Sequence, residues 1–199
     1  MKEEEDMMTD IKLVEQPERP LAMNPKKFAL WLFIITVVMI FAALTSAYIV
    51  RQAEGNWLVF DLPVEMYYTT GIILLSSVTM HWAYIAARKD ELGQVKLAIS
   101  MTTLLGVAFL VGQVMVWNAL VDSRVFLVGN PSGSFLYILS GLHGLHLVSG
   151  VIFLIIVLIS TFRFKVHSKN LNQIQMCTTY WHFLDVLWVY LFLFLLLNH

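Results

Sequence analysis

Charge is scarce in this sequence. Lys, Arg, Asp and Glu make up 14% of its 199 residues, about half the share of a soluble globular chain, while hydrophobic residues make up 58%. That balance excludes an ordinary soluble domain and identifies an integral membrane protein. Proline is absent where it would matter: Pro17, Pro20, Pro25, Pro63 and Pro131 all lie outside the long apolar runs. The interrupted helices on which secondary transporters build their midplane sites are therefore not indicated, and no paired repeat accompanies them. The single cysteine, Cys177, has no intramolecular disulfide partner and no metal-type spacing, so it reads as a small apolar filler. A formal net charge of −1 offers nothing to nucleic acid. Finally, the opening "MKEEEDMMTD" lacks an apolar core and a small-residue cleavage site, so residues 1–26 read as a solvated, mobile tail and not as a signal peptide.

What the sequence does have is five runs long enough to cross the hydrocarbon core, which takes about 20 mostly apolar residues. They fall at 28–50, 65–87, 95–121, 134–162 and 174–197, the third softened by Gln113 and Asn118. The predicted fold is all-α, a membrane bundle of five helices with its termini on opposite sides. Cations set its orientation. Lys2, Lys12, Arg19, Lys26, Lys27, Arg88, Lys89, Lys96, Arg163, Lys165 and Lys169 fall on one side, and only Arg51 and Arg124 on the other. Because basic loops stay on the cytoplasmic side, the amino terminus is expected in the cytoplasm and the carboxyl terminus outside. Arg163 and Lys165 are then candidate contacts for lipid headgroups, and Trp57 an interfacial aromatic anchor.

Polar and small residues gather into stripes at helical spacing. Thr70, Ser77, His81 and Tyr84 share one face of the second span, and Thr102, Gly106, Gln113 and Trp117 one face of the third. The first span offers Thr36, Ala43 and Ala47, with Ala42 and Ser46 beside them. Helices in lipid associate through small residues and polar contacts, so these stripes are read as packing faces. The outer connections "RQAEGNWLVFDLP" and "DSRVFLVGNPSGS" are more apolar than free loops, which suggests packing at the interface or against another protein.

Ionisable residues inside the spans carry whatever chemistry the chain has. "SGLHGLHLVSG" places His143 and His146 three apart, with Gly141 and Gly144 allowing close backbone approach; "WHFLDVLW" places His182 and Asp185 three apart, flanked by Trp181 and Trp188. From the rise per residue, His143 and His146 sit roughly 14 and 18 Å below the outer end of their span, and Asp185 about 17 Å above the inner end of the fifth. A carboxylate at that depth needs a partner. Haem ligation would require histidines from separate helices at one level, such as His146 with His81 or His182. Metal binding would draw on His143, His146, His182 and Asp185 without a recognised motif. Proton translocation would run through Asp185. Against these stands a structural network in which the histidines and Asp185 satisfy one another and nearby hydroxyl or backbone groups, the economical reading of buried polar side chains.

Together "GLHGLHLVSG" and "YWHFLDVLWVYLF", joined by a basic connection, closely resemble subunit III of the haem–copper oxidases, the cytochrome c and quinol oxidases. "LLSSVTMHWAYIAARKDE" and "TTLLGVAFLVGQ" match more loosely, and the resemblance runs from about Asn24 to the end. It implies the short five-helix bacterial form in the cytoplasmic membrane. That form lacks the two further helices that hold phospholipid in a cleft, so the cleft should be absent or rebuilt and bound phospholipid stays open. It also implies no redox centre on this chain, since haem and copper belong to subunits I and II, its expected partners. The implied role is to stabilise subunit I and support its proton uptake during reduction of oxygen to water; a larger supercomplex stays open. His81, His143, His146, His182 and Asp185 become structural polar residues.

Two departures stand out. The family often carries a buried glutamate in the first of these spans, where this chain has Thr36 and Val37, and another after the third-span glutamine, where it has Val116. No role of those acids transfers. A subunit-III-like accessory protein of a nitric oxide reductase, a small proton-coupled transporter and a haem-binding membrane anchor are the alternative readings.

Overall fold

The computed structural model describes residues 24–162 and 171–198. Five helices fill nearly all of them: α1 Pro25–Ala53, α2 Val64–Arg88, α3 Leu92–Asp122, α4 Pro131–Phe162 and α5 Asn172–Asn198. Each is long and apolar enough to cross a membrane. All five start one to three residues before the expected spans, and the reasons are local. Pro25 occupies the first turn of α1, where its missing N–H costs nothing, and the Asn24 side chain accepts from the Lys26 amide at 3.1 Å. Pro131 opens α4 in the same way. The third span, soft in hydropathy, is a continuous helix of 31 residues, because Gln113 finds a partner inside the bundle.

The helices run up and down. At one end Lys27 Nζ donates to Gln175 Oε1 at 2.7 Å, the Trp82 indole to Gln94 at 3.2 Å, and Lys96 lies 5.0 Å over the Phe162 ring. At the other, Tyr48 and Gln52 donate to the Asn198 carbonyl at 2.9 and 3.0 Å. The start of α1 and the end of α5 are therefore at opposite ends. The turn between α2 and α3 takes three residues, with Asp90 in the left-handed region at φ 58°. That tight connection gives α2 and α3 the most extensive contact in the bundle. Successive contacts α3 to α4, α4 to α5 and α5 back to α2 close a ring of four, and α1 packs outside it against α4 and α5.

Two close approaches set the ring's spacing. A β-carbon on Gly106 of α3 would lie 2.6 Å from Trp181 Cη2, and one on Gly150 of α4 would lie 2.8 Å from Leu184 Cδ1 and 3.2 Å from Trp181 Cζ3. The buried Trp181 indole thus sits against two glycine surfaces. Gly106 lies in the stripe read as a packing face of the third span, whereas the other two expected close approaches, at Gly141 and Gly144, are not observed. A β-carbon would meet Trp117 only at 3.7 Å from Gly141, and nothing within 4 Å of Gly144. The first-span stripe differs as well. Thr36, Ala42, Ala43, Ser46 and Ala47 are exposed, and α1 instead buries Ile34, Val37, Phe41, Thr45 and Tyr48, because a helix on the outside of a ring meets large side chains. Cys177 is buried as a filler.

Candidate functional site: a polar seam between α2 and α5

Polar side chains of α2 and α5 meet along the whole contact of these antiparallel helices. The Trp188 indole N–H donates to Thr70 Oγ1 at 3.0 Å, and the Trp181 indole N–H to Ser76 Oγ at 3.0 Å. One residue further along each helix, Ser77 Oγ is 2.8 Å from His182 Nδ1. The His182 ring lies 6.1 Å from that of His81. Asp185, 3% exposed, places Oδ2 3.8 Å from the same His182 Nδ1, beyond hydrogen-bond length. Neither of its oxygens has a hydrogen bond among the described residues.

The expected site residues therefore separate into three places. His81, His182 and Asp185 come together, with Ser77 joining them. His143 points into the ring, fully buried, edge-on to Phe109 at 6.1 Å and tilted against Trp188 at 5.1 Å, with both ring nitrogens lacking a hydrogen bond among the described residues. His146 turns toward α1, 5.8 Å from Phe41 and 6.2 Å from Phe33, and its Nδ1–H donates to the Leu142 carbonyl at 2.8 Å. Three-residue spacing leaves a 60° offset on a helix, enough to send the two histidines to different neighbours. They do not converge.

Trp57 is half-buried, packs edge-on against Tyr48 at 4.6 Å and lies 6.4 Å from Phe135, with its indole nitrogen buried. Arg163 and Lys165 lie outside the described residues. The positions of the missing family acids, Val37 and Val116, are each 1% exposed and packed as apolar core.

Sequence reasoning missed Ser76, Thr69 and Thr45 as partners. The Trp181 indole bonds Ser76, Gln113 Nε2 donates to Thr69 at 3.1 Å, and Tyr190 donates to Thr45 at 3.0 Å. A usable signal was there: two indoles seven residues apart on α5 face two hydroxyls six apart on α2, matching spacings for antiparallel helices.

Among the described residues no group of three or more His, Cys, Asp or Glu is placed to hold a metal ion. His143 packs against Phe109 and Trp188, and His146 is turned to α1. Hydroxyls and indoles of α2 and α5, with His182, form links between these helices.

A five-helix membrane bundle with its polar groups in interhelical links is the class that fold and site define. The comparisons specify it. The family model described as cytochrome c oxidase subunit III matches residues 19–198, and the chain belongs to that family. It is 29% identical to a cytochrome c oxidase subunit 3 of Corynebacterium diphtheriae, over 89% of this chain and 91% of that one. A probable cytochrome c oxidase subunit 3 of Nocardia farcinica is 32% identical, covering 78% and 79%. A cytochrome bo(3) ubiquinol oxidase subunit 3 of Buchnera aphidicola is 27% identical, covering 88% and 95%.

Proposed function

We propose that this chain is the non-redox subunit III of a proton-pumping respiratory haem–copper oxidase in a bacterial cytoplasmic membrane, where it stabilises subunit I and supports proton uptake there. Subunits I and II are its partners, and haem and copper reside on them. The electron donor is cytochrome c or a quinol; relatives of both kinds lie at similar identity. Residues 1–26 are proposed as a charged cytoplasmic tail and 27–199 as the subunit III domain, with the carboxyl terminus outside; the basic residues on the Lys27 and Lys96 side support that orientation.

The observation that carries this reading is the use of the polar side chains. Hydroxyls and indoles of α2 and α5 are spent on one another. His81, His143, His146, His182 and Asp185 are accordingly proposed to fix helix packing. Phospholipid is proposed as a ligand, with Arg163 and Lys165 at its headgroups on the inner side. At the outer end of α1 and α4 an open groove of about 920 Å³, lined by Ala43, Ser46, Ala47, Arg51 and Ser134 among others, has the apolar floor and polar rim an acyl chain and headgroup need.

Purification in mild detergent through an amino-terminal tag tests the proposal. The expected result is co-purification of a haem–copper subunit I with oxygen-consuming activity, and a visible spectrum that scales with subunit I. A colourless chain without oxidase partners, under conditions that keep other membrane complexes intact, would refute it.

A further inference from the structure

The outer face of α2 and α5 is apolar except at one level. Tyr67, Leu74, Val78 and Ile85 form an exposed stripe on α2, and Val186, Tyr190, Leu193 and Leu197 one on α5. Between them His81 is exposed, and the His182 side chain is 32% exposed. Counting from the helix ends, His81 is about 10 Å and His182 about 15 Å along its helix from the Lys27 side, within the hydrocarbon layer. Ionisable side chains at such depth face protein or water, since acyl chains offer no hydrogen-bond partner.

The ring geometry adds a direction. Ser77 and Asp185 both lie against His182 Nδ1. In the tautomer with the proton on that nitrogen, Nε2 is the acceptor. A surface complementary to that tautomer brings a donor, a hydroxyl, indole, amide or guanidinium, at the level of His182.

We propose that the α2/α5 face around His81 and His182 is the docking surface for a transmembrane helix of another subunit, which carries a hydrogen-bond donor at that level. The proposal rests on the reading of this chain as a subunit of a membrane complex and specifies the face by which it joins. The exposed faces of α1, α3 and α4 have no histidine or other ionisable side chain at this depth among the described residues, and lipid suits them.

A photoreactive benzoylphenylalanine placed singly at Val78 or Val186 on this face, and at Met39, Leu104 or Leu145 on α1, α3 and α4, tests it in native membranes. All five positions are at least 65% exposed. Irradiation is expected to give adducts to another transmembrane chain from Val78 and Val186. Adducts to such a chain mainly from the other three, or only self- and lipid adducts from Val78 and Val186, would overturn the assignment. If oxidase chains co-purify but link elsewhere, the face is wrong and the proposed function stands. If Val78 and Val186 link to a membrane protein unrelated to oxidases, the face stands and the function falls.

His81→Leu supplies a second readout. Against lipid, leucine is the better side chain at this depth, so partner retention in detergent would be unchanged and the proposal lost. Against a polar partner helix, retention is expected to fall by about three- to tenfold, the scale of one interhelical hydrogen bond in a membrane.

Discussion

Gly106→Ala is expected to destabilise the bundle through a single contact. The new methyl would stand 2.6 Å from Trp181 Cη2 and 3.0 Å from Cζ2, where carbon atoms prefer about 3.5–4.0 Å. Relief would take a displacement of roughly 1 Å. The indole cannot easily supply it: it is fully buried, bonded to Ser76, and its Cζ3 edge already faces Gly150 of α4. Overpacking of this kind costs about 1–3 kcal/mol. Denaturation of the purified chain by sodium dodecyl sulfate in mixed micelles measures that loss. Trp181→Phe, which removes the outer ring atoms that meet Gly106, isolates its cause. In that background Gly106→Ala should cost less than about 0.5 kcal/mol, so the coupling between the two changes should be about 1–2 kcal/mol. A Gly106→Ala cost that is negligible with Trp181 present, or equal in both backgrounds, would refute the argument that this glycine exists to admit the indole.

Other substitutions probe the seam. Asp185→Asn keeps shape and removes a carboxyl whose oxygens have no hydrogen bond among the described residues, so it should leave stability within about 1 kcal/mol, or raise it, in the same denaturation assay. Asp185→Ala also opens a void beside Trp181 and Trp188; it is expected to lower stability and retention of subunit I, with haem absorbance per subunit I unchanged in the visible spectrum. Ser77→Ala should cost about 0.5–1.5 kcal/mol by removing the bond to His182. Val116→Glu, which supplies the acid the family often carries, puts a carboxyl among apolar neighbours at 1% exposure; a loss of about 2 kcal/mol or more is expected, read as reduced accumulation of folded chain in membranes.

The five spans were legible because hydropathy and length leave little freedom in a bilayer, and only the helix starts needed structure. The polar faces of α2 and α3 were legible too, since Thr70, Ser77, Thr102 and Gln113 do meet neighbouring helices. Two things were not. A stripe of small residues does not reveal what lies opposite, so Ala43 and Ala47 of α1, which line a groove, looked like Gly106, which admits an indole. Spacing of three also leaves open whether two residues come together: His182 and Asp185 face each other, while His143 and His146 point to different helices. Direction within a face depends on where the adjacent helices sit, and one sequence does not contain that.

Hydrogen bonds join helices adjacent in the chain as well: Thr79 to Thr102 and Gln113 to Thr69 link α2 and α3, which a three-residue turn already holds together. The contact that closes the ring joins α2 to α5, about 105 to 118 residues apart at its bonded pairs. In lipid no hydrophobic force draws these two together, so packing and hydrogen bonds must specify the pairing. Two indoles, a histidine and three hydroxyls supply it in one antiparallel register, and a one-residue slip would part every donor from its acceptor. Replacing both Ser76 and Thr70 by alanine is therefore expected to cost more than the sum of two ordinary hydrogen bonds, because each leaves a buried indole N–H without a partner. The single changes should each cost about 1–3 kcal/mol in the micelle assay, against well under 1 kcal/mol for Thr36→Ala on the exposed face of α1. Equal effects at all three positions would show that the closing register is set by something other than these bonds.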